Sequence, residues 1–552
     1  MNDVTELADE LTRIMFDKEP LWPALLGISS ERAGLGDLSE AAEQDYRAAL
    51  ADIIARADAI DPAGLPRTDR RTREVVRSQA RGAIDQIDSH ALEFTITDMF
   101  VAPASELLTL LPMVSVADEQ QGREQLGRLA AIPGYLEQAL RRHRAGVAAG
   151  RVPVAHLVRA AIDHIDRYLA APSDDPLLRR PGPDEEFDKE RARLLADVVH
   201  PAFLAYRDGL ATDIEPHGRS ADRPGLCWLP DGERIYRLLA RAHTTTDRGP
   251  QELHDIGLRL IDQLADEYRE IGQRVWGLRE LGEIFTKLRT DPQLRWSSAG
   301  ELLESARAAI LRAEEQAPAW FGDIPPQSCV VEPVPPAEAP GGAPAYYVPP
   351  AVDGSRPGTY FANTHQVTER FRQTSEVTAF HEAIPGHHFQ LSTAMGLREL
   401  PLLRQIGGFN AYTEGWGLYC ERLAAEMGLY SDDVSLLGML SMDSMRAGRL
   451  VVDTGLHAKG WSRQQAVDYL AENTPMPQVE IDSEVDRYIA YPGQALAYMV
   501  GRLEIQRIRA AAQAELGANF DIRGFHDVVL GGGAVPLSVL DSAVSEWVTD
   551  NA

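Results

Sequence analysis

Hydrophobic residues recur every three or four positions along most of the chain. Near the N-terminus, Val4, Leu7, Leu11 and Ile14 follow this spacing, which places them on one face of an amphipathic helix. The same period predicts helices in four longer stretches, residues 38–60, 191–210, 251–276 and 299–316. We therefore predict a mainly α-helical protein.

Two breaks rich in Pro and Gly interrupt the helical pattern, at residues 171–186 and 215–232. The second break is the better candidate for a boundary. We expect one helical domain over residues 1–552, built of an N-terminal half (1–220) and a catalytic half (221–552), with a central cleft between the halves.

One segment, residues 324–364, departs from the helical period. It holds three short runs of β-branched or aromatic residues, each bounded by Pro or Gly: Cys329–Val331, Tyr346–Val348 and Thr359–Phe361. The pattern predicts a small β-sheet directly before the candidate site of residues 375–502, and an edge strand there could hold a peptide. A Pro-rich surface loop with local β character is the alternative.

Charge and composition limit the possible partners. The chain of 552 residues carries a formal net charge of −28 at pH 7, and such a surface repels nucleic acid. No window reaches the roughly 18 uninterrupted apolar residues of a membrane span, and the N-terminus does not resemble a signal peptide. Cys227, Cys329 and Cys420 fit neither a disulfide framework nor a cysteine-based zinc site. We expect a cytoplasmic protein without a nucleic-acid or membrane partner.

The segment AFHEAIPGHHFQ, residues 379–390, concentrates side chains that bind metals. His381 followed by Glu382 has the form of a zinc-peptidase helix, in which the histidine binds the metal and the glutamate faces the attacking water. A straight helix of that kind needs its second histidine four residues after the first. Pro385 occupies that position here, and two histidines follow it.

The identity of the second ligand depends on the backbone at Pro385 and Gly386. On a straight helix His388 lies on nearly the same face as His381 but roughly 10 Å along the axis, which is too far to share an ion. Proline removes a backbone donor and glycine tolerates unusual dihedral angles, so the pair favours a bulge. A two-residue bulge restores the HExxH spacing and makes His387 the second ligand. His388 is the alternative, and the unused histidine would line or support the site.

We expect the third ligand to come from a later helix. Glu414 lies 27 residues after His387 and seven before Glu421, so both carboxylates lie on one helix face. We predict that His381, His387 and Glu414 hold one zinc ion per chain. Glu421 either supports the ligands or is a structural carboxylate between helices.

Four segments carry a family resemblance: HEAIPGHHFQ, YTEGWGLYCE, RLVVDTGLHAKGWS and RYIAYPGQALAYMVG. They are similar to the motifs of the bacterial family catalogued as domain of unknown function 885, whose members are described as candidate zinc metallopeptidases. The similarity spans most of the chain and is densest between residues 357 and 502.

More distantly, the layout resembles the helical zinc peptidases of the thimet oligopeptidase, angiotensin-converting enzyme and thermostable carboxypeptidase groups. These groups have HExxH, a ligand glutamate some 25 residues later and, in two of them, a second glutamate seven positions on. The resemblance implies a zincin-like fold. It also implies that late tyrosines donate hydrogen bonds to the tetrahedral intermediate, with Tyr498 as the preferred donor, Tyr491 as the second and Tyr488 nearby. Packing of these rings on a helix is the alternative for each.

A polar stripe lies between these motifs. Arg449, Asp453 and His457 recur every four residues on one helical face, and Arg446 precedes them by one turn. The stripe either reaches the cleft, where His457 donates to the substrate and an arginine binds its carboxylate, or forms a buried ion-pair ladder between helices. Asp453 fits the structural alternative better.

These predictions combine into a gluzincin-like hydrolase that cleaves peptide bonds in short peptides, with Glu382 as general base. Two alternatives stay open. One is a metal-dependent hydrolase or biosynthetic enzyme that acts on a non-peptide amide, and the other is a non-catalytic metal-binding or interaction protein. Glu382 argues against the second, since a structural metal site needs no general base.

Overall fold

The computed structural model describes residues 3–28, 34–179, 181–336, 339–340, 343–350 and 356–552. Helices make up most of this part of the chain, and the predicted mainly α fold is confirmed. The α-helices are α1 (Asp3–Lys18), α2 (Leu21–Leu25), α3 (Glu40–Ala59), α4 (Arg67–Asp88), α5 (Ala91–Phe94), α6 (Pro103–Leu110), α7 (Glu119–Ala148), α8 (Ala155–Ala170), α9 (Glu185–Leu194), α10 (His200–Gly209), α11 (Gly232–Thr244), α12 (Pro250–Trp276), α13 (Leu281–Thr290), α14 (Ala299–Gln316), α15 (Ser375–Glu382), α16 (His387–Gly396), α17 (Leu402–Ile406), α18 (Asn410–Glu426), α19 (Asp433–Lys459), α20 (Arg463–Asn473), α21 (Gln478–Ala490), α22 (Leu496–Leu516), α23 (Ile522–Leu530) and α24 (Leu537–Asn551).

All five stretches with the helical period form helices. Four of them correspond to α1, α3, α12 and α14. The stretch 191–210 runs from α9 through a π-helical segment, Leu195–Val199, into α10. Val4, Leu7 and Leu11 of α1 are buried, so the predicted apolar face is the face that packs inward.

The predicted small sheet is also confirmed. It consists of β1 (Cys329–Pro333), β2 (Ala345–Val348) and β3 (Gly358–Ala362), in the order β1-β3-β2. Strand β3 pairs parallel with β1 and antiparallel with β2. Val331 and Tyr360 are buried in the main hydrophobic core, and β2 contacts α15, so the sheet lies beside the helix that carries His381.

The largest hydrophobic core joins the two ends of the chain. Residues of α1, α3 and α4 pack in it with residues of α14, α18 and α22 to α24. Helices α6 to α10 enclose a separate core. The first helices of the N-terminal half therefore share their core with the C-terminal half.

Helices α15, α18, α19 and α22 pack together at the candidate site, and α16 contacts both α15 and α18 there. Helix α18 contacts both α15 and α22, and α19 contacts all three. The approach of α18 to α22 requires glycine on both sides, because a Cβ added to Gly415 would lie 2.5 Å from the Cα of Gly501. This contact fixes the position of the neighbouring residue Glu414.

None of the helices in the described part of the chain combines the length and apolar character that a membrane span requires. The central cleft and the zincin-like relationship stay predictions.

Candidate metal centre

The chain breaks between two helices within AFHEAIPGHHFQ. Helix α15 ends at Glu382 and α16 begins at His387, so the predicted two-residue bulge is instead a four-residue break with a cis Ile384–Pro385 bond. Proline cannot continue the hydrogen-bond ladder, and the His388 N–H instead donates to the Ala383 carbonyl at 3.0 Å. The indole N–H of Trp416 on α18 donates to the carbonyls of Pro385 and Gly386, at 3.1 and 3.2 Å. The break is therefore held against α18.

The break brings His387, rather than His388, into a group with His381 and Glu414. One ligand atom from each of the three lies within 4.8 Å of the others. Glu414 Oε2 is 3.5 Å from His381 Nε2 and 3.7 Å from His387 Nε2, and the two imidazole rings meet edge to face. We call these three residues the His-His-Glu cluster.

Other side chains orient the two imidazoles. Glu421 Oε1 accepts from His381 Nδ1 at 2.8 Å, and Gln390 Oε1 lies 3.3 Å from His387 Nδ1. Both histidines are thereby held through Nδ1, and their Nε2 atoms face Glu414. Glu421, which the sequence offered as a support or a structural carboxylate, contacts a member of the cluster.

The electrostatics of the cluster favour positive charge beside Glu414. Burial alone would lower the pKa of His381, but hydrogen bonds with Glu414 and Glu421 raise it to about 10. Burial alone would raise the pKa of Glu414, but the two imidazoles hold it well below its usual value. Two imidazole nitrogens and a carboxylate in this arrangement are ligands that a divalent cation accepts.

Glu382 is the last residue of α15 and is half-buried. Burial raises the pKa of the Tyr360 phenol on β3, and the nearby Glu382 carboxylate raises it further. The Glu382 carboxylate also contributes to the raised pKa of His381, so it lies near both the Tyr360 phenol and the His-His-Glu cluster.

His388 has a different set of partners. Its Nδ1 lies 2.7 Å from the Tyr347 hydroxyl on β2, and its Nε2 lies 3.0 Å from the Gln327 carbonyl just before β1. Burial lowers the pKa of His388. This histidine ties the sheet to α16.

The structure does not bring His457 to the cluster. The Leu226 N–H donates to its Nδ1 at 3.2 Å, and its Nε2 donates to the Tyr488 carbonyl at 2.9 Å. Burial lowers the pKa of His457 to about 4. Both ring nitrogens bond to the backbone of the protein itself, which leaves none for the predicted donation to a substrate. Asp453 is equally internal and accepts from the Tyr236 hydroxyl.

The two candidate tyrosines lie near the start of α22. Tyr498 is half-buried, and three guanidinium groups stand over its ring, those of Arg446, Arg449 and Arg487. Tyr491 is also half-buried and meets the ring of the buried His243 edge to face. Neither phenol hydroxyl has a hydrogen-bond partner among the described residues, so both are available as donors.

A family model described as bacterial protein of unknown function (DUF885) matches residues 20–544. The chain belongs to the DUF885 family. The match covers most of the chain, which confirms the family that the motifs indicated.

Two solved structures resemble this DUF885 chain over its whole length. One, described as "putative lipoprotein" from Colwellia psychrerythraea, has a TM-score of 0.91 at 26% identity and covers 99% of each chain. The other, described as "putative lipoprotein of unknown function" from Shewanella oneidensis, has a TM-score of 0.76 at 17% identity and covers 98% of this chain and 99% of its own. No curated protein matches the chain.

Sequence reasoning missed several residues of this site. Gln390 lies three positions after His387 on one helix, so the i,i+3 rule could have found it. Tyr347 gave no such signal, because it reaches His388 from β2, a separate element of the fold.

Proposed function

We propose that the protein is a zinc-dependent peptidase that hydrolyses peptide bonds in short peptides. The observation that carries the proposal is the His-His-Glu cluster with a glutamate, Glu382, directly after the first histidine. The same cluster argues against a purely structural metal site, because three protein ligands leave a position for water and substrate.

The donor set fits zinc. Ligand distances of about 2.0–2.1 Å in a tetrahedral site put neighbouring ligand atoms roughly 3.3–3.5 Å apart. The 3.5 and 3.7 Å separations from Glu414 to the two imidazoles are close to that spacing. The bonds from Nδ1 of His381 and His387 leave both Nε2 atoms as the metal-facing atoms, as is usual for histidines that bind zinc.

Each residue then has a role. Zinc bound at the cluster would supply a Lewis acid that polarises the scissile carbonyl and makes water a stronger acid. Glu382 accepts the proton of the attacking water and passes it to the nitrogen of the leaving amine. Tyr498, or Tyr491, donates a hydrogen bond from its unpartnered hydroxyl to the developing oxyanion. Glu421 and Gln390 keep the imidazoles in place.

The central experiment measures zinc in the purified protein and then screens hydrolysis of a peptide library by mass spectrometry. We expect about one zinc per chain. Glu382→Gln should keep the metal and lose about 10²- to 10⁴-fold in kcat, the usual contribution of a general base. A protein that binds no stoichiometric metal would refute the proposal. Full hydrolysis by Glu382→Gln would refute the mechanism alone, and cleavage of non-peptide amides only would change the substrate class.

The adjacent histidines provide a matched pair of variants. His387→Ala should lose zinc affinity, because it removes a ligand. His388→Ala should keep that affinity, because its ring bonds to Tyr347 and Gln327. The reverse order would move the second ligand by one residue and contradict the assignment.

A cytoplasmic location and the absence of nucleic-acid and membrane partners stay predictions for this chain. The two structural neighbours are described as lipoproteins, and that description is theirs alone. Cell fractionation with an antibody to the natural protein tests the location directly.

A further inference from the structure

Arg446 on α19 is a buried cation that forms no ion pair with any described residue. Arg446 is 7% exposed, and its Nη1 donates to the sulfur atoms of Met442 and Met445, at 3.9 and 3.6 Å. Its Nε is buried without a hydrogen-bond partner, and no carboxylate among the described residues lies within ion-pair distance. A buried charge is costly unless it is paired, so an unpaired guanidinium points to an anion that arrives from outside.

Two further arginines lie beside it. The guanidinium carbons of Arg446, Arg449 and Arg487 stand 5.4, 4.5 and 6.0 Å from the centre of the Tyr498 ring. We call these three the arginine cluster. Arg449 and Arg487 both pair with Glu484, at 2.7 and 3.1 Å, and Nη1 of Arg449 is buried without a hydrogen-bond partner in the described part of the chain. Two of the three positive charges therefore share one carboxylate, and the third, Arg446, forms no ion pair with a described residue, in a chain whose net charge is −28.

The arginine cluster lies beside the His-His-Glu cluster. Arg446 interacts electrostatically with Glu421, the carboxylate that accepts from His381. Tyr498 lies one helical turn before Gly501, where α22 touches α18 next to the ligand Glu414. An anion at the arginines would therefore sit close to the proposed reaction centre and next to the half-buried Tyr498 ring.

We propose that the arginine cluster, through Arg446 first, binds the free C-terminal carboxylate of the peptide substrate. A guanidinium group presents parallel N–H donors that match the two oxygens of a carboxylate. The inference rests on the proposed function and narrows it: the substrate is a short peptide with a free C-terminus, and the enzyme cleaves near that end. A peptide with a neutral C-terminal amide leaves the guanidinium unpaired and binds less well.

The first test needs no variant at the arginines. An equimolar tripeptide library is prepared twice, as free acids and as C-terminal amides, and incubated with zinc-loaded Glu382→Gln protein, whose turnover we expect to be about 10²- to 10⁴-fold slower. Bound peptides are recovered by rapid gel filtration and identified by mass spectrometry. We expect the free acids to be enriched at least about tenfold, the effect of one charge-assisted hydrogen bond.

The outcomes separate the two proposals. Equal recovery of acids and amides, or recovery of neither, would overturn the carboxylate anchor. Selective recovery of amides that contain Asp or Glu would also overturn it, since the bound group is then a side chain. Selective binding of the acids by Glu382→Gln, together with no hydrolysis of them by the unmodified protein, would support the anchor and refute the peptidase.

Variants test Arg446 itself. Arg446→Met replaces the guanidinium with a neutral side chain and should reduce the preference for free acids over amides at least about tenfold, at unchanged zinc content. Arg446→Lys should restore part of that preference. Arg404→Met is the matched control, because Arg404 is 1% exposed, also has an unpartnered Nε, and bonds to Thr72 and Gly532 instead. An unchanged acid preference in Arg446→Met, or an equal loss in Arg404→Met, would overturn the assignment. If Arg446→Met does not fold, the library comparison decides.

Discussion

Glu421 offers the sharpest test of the metal centre, because it touches a ligand without belonging to the His-His-Glu cluster. Its side chain is 2% exposed, and its Oε1 accepts from His381 Nδ1 at 2.8 Å. Glu421→Gln keeps the shape of the side chain and an acceptor oxygen but removes the negative charge. The imidazole then becomes a weaker base and is held less firmly, so Nε2 binds a cation less strongly.

The size of the effect follows from that geometry. Loss of such a supporting partner costs about 10- to 100-fold in metal affinity, which corresponds to roughly 1.4–2.8 kcal/mol. Because this pair is short and buried, it is screened little by solvent, and we expect a value in the upper part of the range. Glu421→Ala should cost at least as much, since it also leaves Nδ1 without a partner in a buried site.

The assay is a competition titration of zinc against a chromophoric chelator at fixed pH. Glu426→Gln is the control, because Glu426 lies on the same helix and pairs with Arg509 at the surface. Its zinc affinity should equal that of the unmodified protein. If Glu421→Gln also binds zinc as tightly as the unmodified protein, Glu421 does not support a metal ligand, and the assignment of His381 through its Nε2 loses its main argument.

Two further predictions concern packing and pH. Gly417→Ala places a methyl group 2.7 Å from the His381 ring, so the ring must move, and we expect at least about a tenfold loss of zinc affinity. Gly396→Ala is the control, because a methyl group there meets no atom of the described residues within 4 Å, and this variant should bind zinc as tightly as the unmodified protein. Equal affinities in the same chelator titration would contradict this. Burial raises the pKa of Asp453 to about 7, against about 3.9 in an unfolded chain. Between these two values the folded state keeps Asp453 protonated while the unfolded chain loses the proton, so the free energy of unfolding falls as pH rises from 4 to 7. In urea titrations at pH 4, 5.5 and 7, Asp453→Asn should reduce that fall in the free energy of unfolding by roughly 1–4 kcal/mol. If the free energy of unfolding of Asp453→Asn depends on pH as steeply as that of the unmodified protein, Asp453 is not the group that titrates.

Most helices and strands of the fold were predictable, because the hydrophobic pattern within each one indicates which of its residues are buried. An amphipathic period is a local property, so α1, α12 and α14 could be read from residues close in sequence. The strand positions were also local, since β-branched and aromatic runs between Pro and Gly leave few alternatives. The metal ligands could be proposed because the donors are concentrated in two short segments, with His381 and Glu414 as the outer members.

The remaining parts depended on how separate elements meet. The local sequence indicated that Pro385 disrupts the helix, but it could not distinguish a bulge from a break. A break leaves backbone carbonyls without helical partners, and their hydrogen-bond donors must come from another part of the chain. Trp416 supplies that donor from α18. The stripe containing Arg449 and His457 shows the same limit: one face of one helix carries both, yet Arg449 pairs with Glu484 and His457 bonds to backbone groups.

The two adjacent histidines divide two tasks because neighbouring residues on a helix point about 100° apart. His387 faces Glu414, while His388 bonds to Tyr347 on β2. One turn of α16 therefore connects the proposed metal centre to the sheet. If the protein is a peptidase that binds its substrate along this sheet, that single turn sets the distance from the sheet to the zinc. The break at Pro385 allows α16 to begin where both contacts can form.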